Sequence, residues 1–271
     1  MKVITQTQIA QFEECRRFYF LKWVNKLIWP VEVGSQKTTR EGADFHLLIR
    51  QLILGFPAES LIIPEEDEKV KHWLEIYLAE QPLGKPDRVY AEKEVSAAFA
   101  DVLWLGKFDA LAISDDQLII YDWKTGKAKA DPEHYRLIPQ TRLYRFLAKT
   151  CGARLLGAGP HAVPAENIEM VYWFPEHSRE TIRLRYSEEQ YQQDITYLKT
   201  MAAEMNSVDI EDYPKTDKER QCDSCQYRTY CFPGMFTDIA IPEEDAFPDD
   251  DWQPELFSAD IFVGDQEETS F

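Results

Sequence analysis

Two aspartates and a lysine lie at a suggestive spacing in two apolar segments of this sequence. Asp109 ends residues 106–109 (GKFD), and Asp122 and Lys124 end residues 118–124 (LIIYDWK). Side chains two positions apart in a strand share a face, so Asp122 and Lys124 project to the same side. A hairpin between the two strands would bring Asp109 close to Asp122. The spacing therefore predicts two carboxylates and an ammonium group at one edge of a sheet.

This trio is suited to the hydrolysis of a phosphodiester. Two carboxylates can hold a hard cation such as Mg²⁺, which lowers the pKa of bound water and neutralises charge on a phosphorus centre. A lysine beside that water orients it, or takes its proton if neighbouring charges lower the pKa of the lysine. The alternative is a surface strand with ordinary salt-bridged charges.

The cysteines predict a second, separate metal site. The spacing Cys222-x2-Cys225-x5-Cys231 supplies three thiolates in a short stretch, and Cys15 is the candidate for a fourth. Four thiolates suit a [4Fe–4S] cluster or structural Zn²⁺, although a single C-x2-C knuckle is unusual for zinc. Cys151 lies outside the pattern, and we interpret it as a small buried hydrophobic residue.

The bulk composition allows one sizeable core and leaves nucleic-acid binding open. The 271 residues are 44% hydrophobic, and the formal net charge is −18. Residues 241–271 hold eleven acidic and no basic side chains, which leaves 37 acidic against 30 basic residues over 1–240, a net charge of −7. We predict a folded domain over 1–240 and an acidic, disordered tail over 241–271. The tail either solubilises the chain or competes with DNA for a groove.

Signals for export or membrane insertion are not found in the sequence. The first residues do not combine a basic region with an apolar stretch, and no apolar run approaches the length of a membrane span. We therefore expect a cytoplasmic location and no membrane partner.

The periodicity of the apolar residues predicts a mixed α/β fold with one central sheet flanked by helices. The expected helices cover residues 7–28, 38–54, 65–80, 139–149 and 187–206. The expected strands cover residues 88–99, 102–114, 117–123, 167–174 and 180–186, and the first three would be joined as hairpins.

Three of these motifs together resemble the RecB-like branch of the PD-(D/E)XK nucleases. They are a G-x-x-D strand, a hydrophobic strand that ends in D-x-K-T-G, and a following Q-x-x-x-Y, here residues 140–144 (QTRLY). The resemblance implies a restriction-endonuclease-like fold and a DNA exonuclease that uses Mg²⁺ or Mn²⁺. Phe108 stands where the superfamily's name places proline.

The resemblance also implies roles for individual residues. Asp109 and Asp122 would be metal ligands together with the backbone carbonyl of Trp123, and Lys124 would be the catalytic lysine. Gln140 and Tyr144, one helical turn apart, would line the site and contact DNA.

Further implied contributions come from neighbouring segments. His46 fits the position of a further metal ligand, a histidine on a helix that precedes the sheet. A glutamate upstream of Asp109 is expected too; Glu92 and Glu94 both fit, and Glu94 is preferred. Three cations on the helix that carries Gln140 could contact phosphates: Arg142, Arg145 and Lys149.

The cysteine pattern resembles that of the AddB-type helicase–nucleases and of the CRISPR-adaptation exonuclease. In both, one cysteine precedes the nuclease core and three follow it in C-x2-C-x5-C spacing, a match that covers residues 7–236 here. It implies a [4Fe–4S] cluster that joins the N- and C-terminal segments, and helicase or CRISPR integration proteins as partners besides DNA. The alternatives are a catalytically silent DNA-binding subunit and a zinc-stabilised structural protein.

Overall fold

A mixed six-stranded sheet organises the chain. The computed structural model describes residues 1–27, 36–63, 67–126, 131–157 and 163–233. The strand order is β1-β3-β4-β5-β6, and β2 also pairs with β3. The strands are β1 (Lys2–Thr5), β2 (Arg88–Phe99), β3 (Val102–Ser114), β4 (Gln117–Trp123), β5 (Ile168–Trp173) and β6 (Ile182–Arg185). The pairs β1–β3 and β4–β5 are parallel, and the others are antiparallel.

The helices cover both faces of this sheet. They are α1 (Gln6–Glu14), α2 (Arg16–Tyr19), α3 (Gln36–Ile53), α4 (Glu68–Glu80), α5 (Pro132–Leu137), α6 (Pro139–Leu156), α7 (Glu188–Glu204), α8 (Glu219–Cys222) and α9 (Arg228–Cys231). A larger hydrophobic core packs α1, α6 and α7 against one face, and a smaller one packs α3 and α4 against the other. The predicted mixed α/β fold is confirmed.

Strand β3 is the centre of the sheet. It pairs with β2 along one edge over almost its whole length. Along the other edge it pairs with β1 at residues 102–105 and with β4 at residues 110–114. Residues 106–109 on that edge therefore lie between two pairing strands, and this interval contains Asp109.

The three central strands have the bounds that the sequence predicts. Their apolar runs are long, and turn residues separate them. The four-residue strand β1 was not predicted because so short a run carries a weak signal. Helix α5 was missed as well, although its start has a readable signal: the Asp131 side chain caps the helix by accepting from the Glu133 backbone N–H at 3.1 Å, and Pro132 follows.

The single N-terminal helix expected over residues 7–28 was wrong. Cys15 has extended backbone angles (φ −156°, ψ 110°) that separate α1 from α2, and a π-helical turn follows at Phe20–Val24. The Cys15 sulfur accepts a hydrogen bond from the Phe18 backbone N–H at 3.4 Å, so this cysteine caps the second helix. Helix α6 continues seven residues beyond its predicted end at Lys149. The predicted tail, 241–271, lies outside the described residues.

Candidate metal and catalytic site

The separation of β3 from β4 creates the site. Their pairing ends at Ala110 and Tyr121, so Asp109 and Asp122 occupy the next position, where the strands diverge. Asp109 Oδ2 accepts a hydrogen bond from the Trp123 backbone N–H at 2.8 Å, which holds the carboxylate against the end of β4. The predicted hairpin is confirmed, and it brings the two aspartates to one place.

Three side chains from three elements form a potential metal-binding group. Ligand atoms of His46 on α3, Glu92 on β2 and Asp109 on β3 all lie within 4.8 Å of one another. No other set of three such side chains in the described residues meets that spacing, including the four cysteines of the predicted cluster. A histidine and two carboxylates are a donor set that suits Mg²⁺ or Mn²⁺.

The glutamate in this group is Glu92, and the sequence-based preference for Glu94 does not match the geometry. Glu94 is exposed to solvent. Glu92 lies opposite Asp109, between the paired positions Ala91–Ala110 and Lys93–Phe108. Its backbone is left-handed, with φ +51°, which is uncommon for a residue with a side chain. Such strain persists only where surrounding contacts impose it, and it is often found at functional sites.

The imidazole of His46 faces oxygen atoms on both sides. Nδ1 lies 3.4 Å from Asp109 Oδ1, and Nε2 lies 3.0 Å from the Trp123 carbonyl oxygen. Burial lowers the pKa of His46, but the hydrogen bond and the charge of Asp109 raise it by more, so the net pKa lies above its ordinary value. The Trp123 carbonyl thus lies at the site, where the resemblance places a ligand.

Helix α3 can approach the site closely because of one glycine. A Cβ atom on Gly42 would meet the Thr125 hydroxyl oxygen at 2.9 Å. Gly42 lies one helical turn before His46, and Thr125 directly follows Lys124. This packing holds the histidine against the end of β4.

A buried polar network holds Lys124. Lys124 Nζ lies 2.6 Å from Asp122 Oδ2 and donates to Gln140 Oε1 at 2.9 Å. Gln140 Nε2 in turn donates to Asp122 Oδ1 at 2.5 Å. Gln140, the first residue of the Q-x-x-x-Y motif, therefore bridges the other two side chains and fixes their relative positions.

The charges in this network keep Lys124 protonated. Burial lowers the pKa of Lys124, but the adjacent Asp122 carboxylate raises it by more. Burial also raises the pKa of Asp122 to about 6, against the opposite effect of the Lys124 charge. Lys124 therefore does not meet the condition under which it would accept a proton, a lowered pKa.

Two expectations for α6 were wrong. Tyr144 is buried and donates a hydrogen bond to the Lys107 carbonyl at 2.8 Å, so it supports β3 and is not available to DNA. The three cations on this helix are buried or paired with acidic side chains. Arg142 Nε lies 2.7 Å from Asp194 Oδ1, and Lys149 Nζ lies 3.0 Å from Glu188 Oε2. The third residue, Arg145, is only 2% exposed.

The structure places the four motif cysteines around one small cavity. Cys15, Cys222, Cys225 and Cys231 line a space of about 20 Å³ between the N-terminal helices and the C-terminal segment. Burial raises the pKa of Cys225, and nearby Cys15 and Cys222 add to the effect. Cys151 lies elsewhere, buried, with its sulfur 3.4 Å from the Ser96 carbonyl.

Solved structures with a similar fold include a candidate exonuclease from Eubacterium rectale. It is 9% identical, with a TM-score of 0.51 over 86% of this chain and 94% of that chain. The protein SSO0001 is 12% identical over 85% of this chain and 86% of that chain, but its TM-score of 0.36 supports no argument. No curated protein sequence matches the chain.

Within the described residues, no helix has the length and apolar character needed to cross a membrane. A sequence model of the PD-(D/E)XK nuclease superfamily matches residues 3–232, most of the chain. The chain therefore belongs to the PD-(D/E)XK nuclease superfamily.

Proposed function

We propose that this protein is a metal-dependent DNA exonuclease of the RecB-like branch that acts on single-stranded or end-bearing DNA. The observation that carries the proposal is the meeting of the His46–Glu92–Asp109 group with the Asp122–Lys124 pair at the point where β3 and β4 diverge. Structural likeness to a candidate exonuclease at 9% identity concerns the fold alone.

The residues present fit a divalent cation. His46, Glu92 and Asp109 would hold it, with the Trp123 carbonyl and Asp122 beside them. Oδ2 of Asp122 is buried and lacks a hydrogen-bond partner apart from its ion pair with Lys124, so it retains capacity to accept. When bound, Mg²⁺ or Mn²⁺ would lower the pKa of a water molecule and neutralise charge on the phosphate.

Lys124 supplies a positive charge whose position is fixed. Because Asp122 keeps it protonated and Gln140 holds its direction, it is suited to orient a water molecule and to stabilise charge on a phosphate oxygen. Gln140 acts through Lys124 and Asp122 and is a positioning residue in this proposal.

For the cysteines we propose a [4Fe–4S] cluster with a structural role. The four residues line one cavity, and no three of their sulfur atoms lie within 4.8 Å of one another. The single C-x2-C knuckle is unusual for zinc and favours a cluster over Zn²⁺, which remains the alternative.

The second candidate is a catalytically silent DNA-binding subunit that works with helicase or CRISPR integration proteins. Asp109, Asp122 and Lys124 are all present and lie near one another, which supports an active enzyme.

The test is degradation of end-labelled single-stranded DNA with Mn²⁺ by anaerobically purified protein. We expect Lys124→Ala to lower turnover ~10²- to 10³-fold, the usual effect of removing one group that stabilises developing charge. The exposed residue Lys85 provides the control: Lys85→Ala should degrade DNA at the wild-type rate.

Iron content and melting temperature of both variants show whether each is folded and loaded. An inactive but loaded wild-type protein would replace the enzyme proposal with the silent subunit. Lys124→Ala with wild-type turnover would remove this lysine from the mechanism.

A further inference from the structure

Helix α3 carries a second polar side chain, Arg50, near the metal-binding group. Arg50 follows His46 by four residues, so both lie on one face of the helix, ~6 Å apart along its axis. Both line a groove of about 400 Å³ together with Glu92 and Thr125. Arg50 is exposed and forms no ion pair within the described part of the chain. Its guanidinium group can therefore bind an anion beside the metal group.

A second groove, of about 370 Å³, lies along the same helix, and its lining combines exposed apolar side chains with the charged residues Arg40, Asp44 and Asp67. Phe56 and Ile62 line it, and Leu47 lines both grooves. These side chains are unusually accessible for apolar residues: Leu47 is 49% exposed and Phe56 is 54% exposed. The two grooves share Leu47 as a lining residue.

We propose that α3 and Phe56 form a track for single-stranded nucleic acid that leads to the metal group. Arg50 binds a backbone phosphate next to the scissile one, and unpaired bases lie on Leu47 and Phe56. The inference rests on the proposed function and names the substrate class for that same site.

The apolar surfaces favour a single strand. Aromatic and apolar surfaces beside a cationic groove bind bases through their exposed faces, and bases within a duplex are stacked on each other and cannot reach them. The track also supplies the phosphate contact that α6 cannot make, since Arg142, Arg145 and Lys149 are buried or paired with acidic residues.

The first measurement is binding of labelled oligothymidine and of a blunt duplex, without added Mg²⁺ or Mn²⁺, over a range of salt concentrations. We expect Arg50→Gln to weaken binding about tenfold. The slope of the logarithm of the binding constant against the logarithm of the salt concentration should become shallower by ~0.7, the value for one lost phosphate contact with a single strand. Arg185→Gln is the matched control, because Arg185 is an exposed arginine on β6.

The apolar part is tested with Phe56→Ala. Loss of one stacked base predicts about tenfold weaker binding of oligothymidine and unchanged binding of the duplex, with Phe56→Tyr restoring the affinity. Leu54→Ala is the control, since Leu54 is 61% exposed and lines neither groove.

Cleavage kinetics separate this inference from the proposed function. With Mn²⁺, Arg50→Gln should raise KM and leave kcat near the wild-type value. A wild-type protein that cleaves DNA, with Arg50→Gln indistinguishable from it, would overturn the track and leave the nuclease. A loaded wild-type protein that neither binds nor cleaves would overturn both.

Two further results would contradict the base-binding role. Equal loss of oligothymidine and duplex binding in Phe56→Ala would show that the surface does not distinguish single strands. Unchanged nucleic-acid binding together with an altered oligomeric state would show that Phe56 belongs to a protein interface.

Discussion

Glu92 combines an unusual backbone conformation with a central position in the site. Its left-handed backbone and its place opposite Asp109 bring the carboxylate to His46. This carboxylate forms an ion pair with Lys107. The Lys107 ammonium lies beside Glu92 and neutralises the charge of its carboxylate, as a divalent cation would.

The two glutamates of β2 provide a matched test at the residue scale. We expect Glu92→Gln to weaken Mn²⁺ binding about tenfold or more, because removal of a charge at a metal site has effects of at least this size. Glu94→Gln should bind Mn²⁺ as the wild-type protein does, since Glu94 is exposed. Titration calorimetry measures both. A larger loss of Mn²⁺ affinity in Glu94→Gln than in Glu92→Gln would show that Glu94 is the metal ligand.

Among the elements, α6 packs directly on β3. The interval at residues 106–109, which β1 and β4 leave open, is covered by α6. Tyr144 donates to the Lys107 carbonyl there, and a Cβ on Gly106 would meet Leu147 Cδ1 at 2.8 Å and Tyr144 ring atoms at 3.1 Å. The absence of a side chain at Gly106 therefore sets how closely α6, which carries Gln140, approaches the strand of Asp109.

Gly106→Ala tests this packing. The added methyl group must displace Leu147 and the hydrogen-bonded Tyr144, and we expect a loss of ~1–3 kcal/mol in the free energy of unfolding, as for other overpacked cores. Urea unfolding measures the loss. Gly126→Ala is the control, because nothing lies within 4 Å of its Cβ position. Equal free energies of unfolding for the two variants would show that α6 accommodates the added methyl group without loss of stability.

On the scale of the whole molecule, the two ends of the described chain meet. The Tyr227 hydroxyl donates to the Leu27 carbonyl at 2.6 Å, and Arg17 Nε donates to the Tyr213 carbonyl at 2.7 Å. The four cysteines lie in this same contact region, with Phe18 and Tyr227 rings 5.3 Å apart beside them. A cluster here would join segments about two hundred residues apart in sequence.

Cys225→Ala should therefore lower both the iron content and the melting temperature. A cross-link between distant segments stabilises by restricting the unfolded chain, and losing one of four ligands weakens it. Cys151→Ala, which removes a buried thiol outside the cavity, should keep the wild-type iron content. Iron and sulfide analysis with visible absorbance measures cluster content. A colourless wild-type protein that contains zinc would replace the cluster with Zn²⁺.

The sequence by itself determined the three central strands, the hairpin that joins Asp109 to Asp122, and the pairing of Asp122 with Lys124. These features depend on local spacing: alternation along a strand, turn residues between strands, and a shared face two positions apart. The gathering of the four cysteines around one cavity was also predicted, through the resemblance of their spacing to a known pattern.

Only the tertiary structure decided which neighbouring side chains reach the site. The left-handed turn at Glu92, the burial of Tyr144, and the pairing of Arg142 with Asp194, 52 positions away, all depend on elements that meet only in the folded chain. Local periodicity does not encode these contacts, because each arises from the burial and charge of a distant partner.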